Sequence, residues 1–209
     1  MVNELEKKRF IRALGVYFPL SLIVASVLVV VCYFTVDPYF AMRKGQFAVK
    51  ARENYPDFLL LWVMVSSLGA WGFYFFQQRF VTWRLFCFYY GWLTPLSFLI
   101  KDVLKFTFAR PVPADVLSNP SLYGFHWWSW RYVSFPSGHM AVMTTSTLLF
   151  IYFYPYFRWL GYLFLLSLGI FLIAGNYHYV SDVIAGTFIG YWIYYLGYLH
   201  NPWRGIKGV

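Results

Sequence analysis

Ser134-Phe-Pro-Ser-Gly-His-Met140 stands at the head of an apolar run that continues to about Tyr154, and Asn176-Tyr-His-Tyr-Val-Ser-Asp182 heads another, from about Val183 to Leu199. Each stretch sets a histidine, and the second also a carboxylate, at the end of a strongly apolar segment. Ionisable groups at such depths are costly unless they are paired or do chemistry. His139, His178 and Asp182 are therefore the first candidates for a site.

The rest of the chain has the same character. Hydrophobic residues make up 60% of it, aromatic residues 25% and charged residues 12%, whereas an average soluble domain is about one-quarter charged. Besides the two runs above, apolar segments extend from about Val16 to Phe34, Phe58 to Phe76, Leu85 to Val103 and Leu160 to Gly175. Each is near the roughly 20 residues that span a bilayer core as a helix. Pro95 falls inside the third in chain order, which is kept as one kinked helix because neighbouring spans can satisfy a freed carbonyl. The pattern predicts an all-α, six-transmembrane helix bundle: one integral membrane domain over residues 1–209, with no internal repeat or low-complexity tract.

Lys7, Lys8, Arg9 and Arg12 precede the first run. That run is longer than a signal-peptide core and lacks a small-residue cleavage site, so it reads as a retained signal anchor. Basic residues concentrate on the cytoplasmic side, which puts residues 1–14 and both termini there. Counts over the remaining loops barely discriminate. This topology turns the 105–135 connection and the 175–182 segment to the same outer face. Cys32 and Cys87 lie inside predicted spans and read as packing residues. The net charge of +9 is dispersed over loops, which argues against nucleic acid and for a membrane with anionic lipid. Tyr123, Trp127, Trp128, Trp130 and Tyr132 suit the headgroup level of a bilayer, as an aromatic belt or as a contact for a lipid.

Pro136 fits a helix start and Ser137 its cap. Gly138 allows close backbone approach, so unpaired amide hydrogens at a helix N-terminus would face an anion. His139, on the first turn, is placed to give or take a proton. His178 and Asp182, four residues apart, share a helix face if the last span starts early. A carboxylate holding one ring nitrogen leaves the other free as a nucleophile. Simple capping and a buried polar contact are the alternative readings of the two segments. His200, at the far end of the last span, reads as structural.

Together these residues resemble the type 2 phosphatidic acid phosphatase superfamily, membrane enzymes that cleave lipid phosphomonoesters or pyrophosphates without a metal. Its second motif, Pro-Ser-Gly-His, is matched by Pro136, Ser137, Gly138 and His139. Its third ends in His, three residues, Asp, as His178 and Asp182 do. The resemblance implies His178 as nucleophile, Asp182 as its orienting partner and His139 as general acid and base. In the first motif, Lys105-Phe-Thr-Phe-Ala-Arg-Pro-Val-Pro113 aligns with Lys-x-x-x-Gly-Arg-x-Arg-Pro, so Lys105 and Arg110 keep basic positions while Val112 replaces an arginine. The Ser-Arg that opens the third motif falls on Phe171 and Leu172. Both motif arginines are missing.

The resemblance thus implies a phosphate site made by Lys105, Arg110, Ser137 and Gly138, with Arg131 and His126 as additional candidates. Arg110 is expected to enter the space between the two histidines. Lys101, out of motif register, is expected to matter less, and Asp102 is a candidate partner for Lys105. The expected function is a metal-independent, cofactor-free membrane lipid phosphatase acting through a phosphohistidine on a lipid phosphate or pyrophosphate. The expected location is a bacterial inner membrane with the site on the periplasmic face. A lipid phosphotransferase, with a lipid or sugar as acceptor, and an inactive lipid-binding protein of the same fold stay open. The sequence does not indicate an oligomeric state.

Overall fold

The computed structural model describes residues 13–42, 58–76 and 79–199. All regular structure among them is helical, without a strand. Six long helices stand where the apolar runs stand: α1 (Phe18–Thr35), α3 (Phe58–Phe76), α4 (Val81–Phe108), α6 (Gly138–Phe153), α7 (Arg158–Ala174) and α8 (Val180–Leu199). Two short ones, α2 (Asp37–Met42) and α5 (Pro113–Ser118), lie in connections. The N-terminal basic cluster, Arg43, Lys44, Lys50, Arg52, Arg204, Lys207 and His200 lie outside the described residues.

Among the described residues, three helical stretches are long and apolar enough to cross a membrane: Gly15–Thr35, Phe58–Phe76 and Pro155–Ala174; Gly138–Phe153 is a shorter apolar helix. Their packing fits that solvent. In α1 only Ala25 is buried, while Leu20, Ile23, Val27 and Val30 are more than half exposed. A helix apolar all round and uncovered is at home only in an apolar medium.

α6 is the hub, packed against α8, α4 and α7, while α3 leans on α4 and α1 on α8. Pro95 does not interrupt α4. The carbonyl that it leaves without an amide, on Gly91, accepts a bond from Trp71 Nε1 of α3 at 3.3 Å, a neighbouring helix replacing the lost partner. α4 also runs past Val103 to Phe108, so Lys105 lies on its last turn rather than in the following connection. The reason is a C-terminal cap that apolarity does not reveal. Ala109 turns left-handed at φ 42° and its N–H bonds the Lys105 carbonyl, while Trp128 and Ser129 N–H bond the carbonyls of Thr107 and Phe106 at 3.0 Å each. These bonds satisfy carbonyls that a helix end leaves orphaned.

Candidate active site

The site forms where α6 and α8 start side by side. Asp182, Gly186 and Gly190 recur every four residues, so they share one face of α8, and that face lies on the α6 backbone. A Cβ at Gly186 would fall inside 3.0 Å of the Ser137 carbonyl oxygen, and one at Gly190 would lie 2.7 Å from Thr144 Cβ. Small residues at this spacing let helices approach to backbone contact. The approach is fixed at its end by the Ser137 N–H, which donates to the Asp182 carbonyl at 3.0 Å.

Ser137 is the N-cap of α6, and its hydroxyl accepts from Met140 N–H at 3.4 Å. Gly138 and His139 open the first turn, with His139 exposed. Gly138 has no room for a side chain: a Cβ would meet Lys101 Cδ at 3.0 Å and Lys105 Nζ at 3.5 Å. Lys105, 9% exposed, therefore brings its ammonium to the N-terminus of α6. There the helix dipole and the first-turn amides also favour an anion. Lys101 lies one turn earlier on the same face, 2% exposed, with its stem on Gly138. Its Nζ pairs with Asp102 at 2.6 Å, so Asp102 serves Lys101.

His178 lies between α7 and α8, buried, with its ring centroid 6.4 Å from that of His139. Its Nδ1 faces Asp182 Oδ2 at 3.6 Å and Ser134 Oγ at 3.5 Å. The Nε2 edge is therefore turned away from the carboxylate. The 3.6 Å separation exceeds a hydrogen bond. Asp182 Oδ2 accepts from the Ser134 hydroxyl and, at 3.1 Å, from Tyr179 N–H. Burial pushes the His178 pKa below its usual 6.5, against the pull of Asp182, and the charge of Lys105 pushes the same way as burial. Burial thereby favours the neutral imidazole.

Arg110 is not the open fork expected between the histidines. Nη1 donates to Asp182 Oδ1 at 2.8 Å and to Ser181 Oγ at 2.7 Å, and Nη2 donates to Asp37 Oδ2 at 2.9 Å. The side chain is 1% exposed. Tyr179, Tyr33, Phe125 and Tyr123 surround its Cζ with ring centroids at 3.8, 5.0, 5.5 and 5.7 Å. Two carboxylates take the nitrogens that would have gripped phosphate, and the guanidinium becomes a clamp on Asp182. Nor do the additional candidates show a contact with the histidine pair. Exposed Arg131 lies over the Tyr132 ring, and His126 bonds the Leu122 carbonyl through Nε2 at 3.0 Å.

No basic side chain replaces the missing arginines at their own positions. Phe171 is 62% exposed, and Leu172 is buried with its carbonyl accepting from His178 N–H at 3.2 Å. Asp37, Ser134 and Ser181 are site residues that reading the sequence missed. Ser134 opens the quoted stretch, and Asp37 follows the first apolar run directly, a buried acid at a span end. Those were the only signals. Among the described residues, no three His, Cys, Asp or Glu side chains gather as a metal site would require.

No curated protein and no solved structure matches the chain. A family model described as the PAP2 superfamily matches residues 86–206, more than half of the sequence and all of the histidine segments. That family is generally one of phosphatases, which supports phosphatase-type activity on phosphate esters. With His139, His178 and Asp182 meeting at the heads of α6 and α8 inside the matched segment, the chain belongs to the PAP2 superfamily.

Proposed function

We propose that the protein is a membrane lipid phosphatase that opens a phosphomonoester or pyrophosphate of a lipid through a phosphohistidine on His178. The observation that carries the reading is the pair of imidazoles 6.4 Å apart, one buried against a carboxylate and the other exposed on the first turn of α6. His178 Nε2 attacks phosphorus as the bond to the leaving oxygen breaks, and His139 gives that oxygen its proton. His139 then takes a proton from water, whose oxygen attacks the phosphohistidine and frees both phosphate and His178. Asp182 holds Nδ1 and stabilises the cationic character of the phosphorylated ring.

Lys105 and the amides of Gly138 and His139 bind the phosphate oxygens. Without the two motif arginines this anion site is weaker, since charge-assisted arginine bonds are roughly twice as strong as neutral ones. A metal has no part in the scheme. Asp182 is already engaged by Arg110, Ser134 and the Tyr179 N–H, which leaves it poorly suited as a ligand. The reading extends to a six-span bundle with the site on the outer face of a bacterial inner membrane and both termini inside. A site on one face is supported by Lys105, Arg110, His139, His178 and Asp182 clustering at one end of α4, α6 and α8, and the orientation rests on the basic residues ahead of the first apolar run.

The test is phosphate release from a panel of lipid phosphates and pyrophosphates by purified protein in detergent, with and without a chelator. Release that persists with chelator and is lost in His178→Ala supports the proposal. Release that stops on chelation and returns with magnesium or zinc contradicts it. Transfer of the label to an added lipid or sugar identifies a phosphotransferase of the same chemistry. A folded wild-type protein that releases nothing from any substrate and transfers nothing to any acceptor supports the inactive lipid-binding reading.

A further inference from the structure

The carboxylate that orients His178 is itself held by a chain of groups reaching outside the family-matched segment. Asp37, 0% exposed, opens α2 at the end of α1. Its Oδ2 accepts from Arg110 Nη2 at 2.9 Å and from the Ser181 hydroxyl. Its Oδ1 accepts from the Ser181 N–H at 3.2 Å. Arg110 and Ser181 are the two groups beside Asp182: one bonds its Oδ1, and the other precedes it on α8. The aromatic box leaves Arg110 only 1% exposed, and Tyr123 closes the box onto α1 by donating its hydroxyl to the Tyr33 carbonyl at 2.6 Å.

We propose that Asp37 is a positioning residue for the reaction, fixing Arg110 and Ser181 so that Asp182 holds the His178 imidazole in its attacking orientation. The proposal rests on His178 being the nucleophile. Two features separate it from simple core packing. An unpaired aspartate at this depth would be expensive, and its two oxygens are spent entirely on the groups that set Asp182. The guanidinium also bridges both carboxylates, so a displaced Asp37 lets Arg110 swing and loosens Asp182. Asp37 lies 73 positions before Arg110. The N-terminal helix would thus be part of the catalytic apparatus as well as an anchor.

The experiment compares wild type with Asp37→Asn, Asp37→Glu, Arg110→Gln and the Asp37→Asn/Arg110→Gln double variant, all as full-length protein in detergent. One readout is the rate of acid-labile phosphoenzyme formation against affinity for orthovanadate, a phosphate mimic. The other is the ¹⁵N spectrum of the His178 ring, with Asp182→Asn as reference. Asp37→Asn is expected to slow phosphorylation roughly 10–100-fold with vanadate affinity within about threefold of wild type. Asp37→Glu, which keeps the charge, should lose less. The double variant should be little worse than Arg110→Gln, because the two act through one linkage. The His178 ring signal should move toward that of Asp182→Asn.

An unchanged ring signal in Asp37→Asn overturns the proposal, whatever the activity. So do additive losses in the double variant, or vanadate affinity falling in step with the rate, which marks general collapse. If the Asn variant does not fold, the Glu variant decides by the same two readouts. Wild type that forms no phosphoenzyme counts against the phosphatase reading, while the ring signal still judges the role of Asp37.

Discussion

Replacing Gly186 by alanine should damage both stability and chemistry, because the added methyl falls between the two helices that carry the site. Its Cβ would sit inside 3.0 Å of the Ser137 carbonyl oxygen and 3.0 Å from Met140 Cβ. The first neighbour is backbone of the α6 cap and cannot rotate away. Relief requires α8 to withdraw by about 1 Å to regain ordinary contact distance. Overpacking of this kind costs about 1–3 kcal/mol, against about 1 kcal/mol gained from alanine's better helix propensity. The balance is a loss of up to about 2 kcal/mol, or up to roughly 8 °C in the unfolding midpoint. Asp182 rides on the same helix face, and a shift approaching 1 Å in a catalytic array costs on the order of 100-fold in rate.

Gly72→Ala is the control, since a Cβ there meets nothing within 4 Å; it should be neutral or slightly stabilising. The assay pairs thermal unfolding by tryptophan fluorescence with phosphate release, in the same detergent. A Gly186→Ala protein as stable and as active as wild type would refute the close-approach argument.

Lys105→Ala should cost on the order of 2–4 kcal/mol of transition-state stabilisation, roughly 30- to 1,000-fold in kcat/KM. Lys101→Ala should also be damaging, although its position outside the motif suggests a mild effect, because its buried stem supports Gly138; equal activity of Lys101→Ala and wild type would contradict that packing role. The lowered His178 pKa has a definite sign. As pH falls through 6.5 the unfolded chain gains a proton that the native imidazole refuses, so this residue's contribution to stability is present above about 6.5 and declines below it. The stability difference between wild type and His178→Ala, measured from pH 7.5 to 5, should move against wild type as the solution is acidified; a difference independent of pH would show that burial does not hold the ring neutral. Arg110→Lys should lose activity mainly through kcat, since a point charge cannot bridge Asp182 and Asp37, whereas a loss confined to KM would return Arg110 to phosphate binding.

The helices were legible because apolarity along a chain is a local property. The run from Phe58 to Phe76 coincides with α3, and Ser137 caps α6 as its neighbours imply. The end of α4 was not legible. Lys105 reads as the first residue of the following connection, and the cap that extends the helix over it comes in part from a loop about twenty residues later. The spacing of His178 and Asp182 identified the pair, but not that Ser134 and Tyr179 N–H would take the nearer oxygen. Arg110 failed for a related reason. From sequence its charge reads as a phosphate contact or as a solvated or headgroup-facing one, and its partner Asp37 is distant along the chain and outside every motif. A basic residue's role follows from which anions the fold delivers to it.

The measurement that bears most directly on the central claim is acid-labile phosphate trapped on the protein from a labelled lipid phosphate or pyrophosphate. Wild type should show a transient signal, and His178→Ala none. His139→Ala, with a pyrophosphate substrate whose leaving group needs little protonation, should accumulate up to one phosphate per chain because hydrolysis lacks its base. Label retained in His178→Ala, or equal and partial losses of turnover in both histidine variants without any trapped phosphate, would contradict a phosphohistidine at His178.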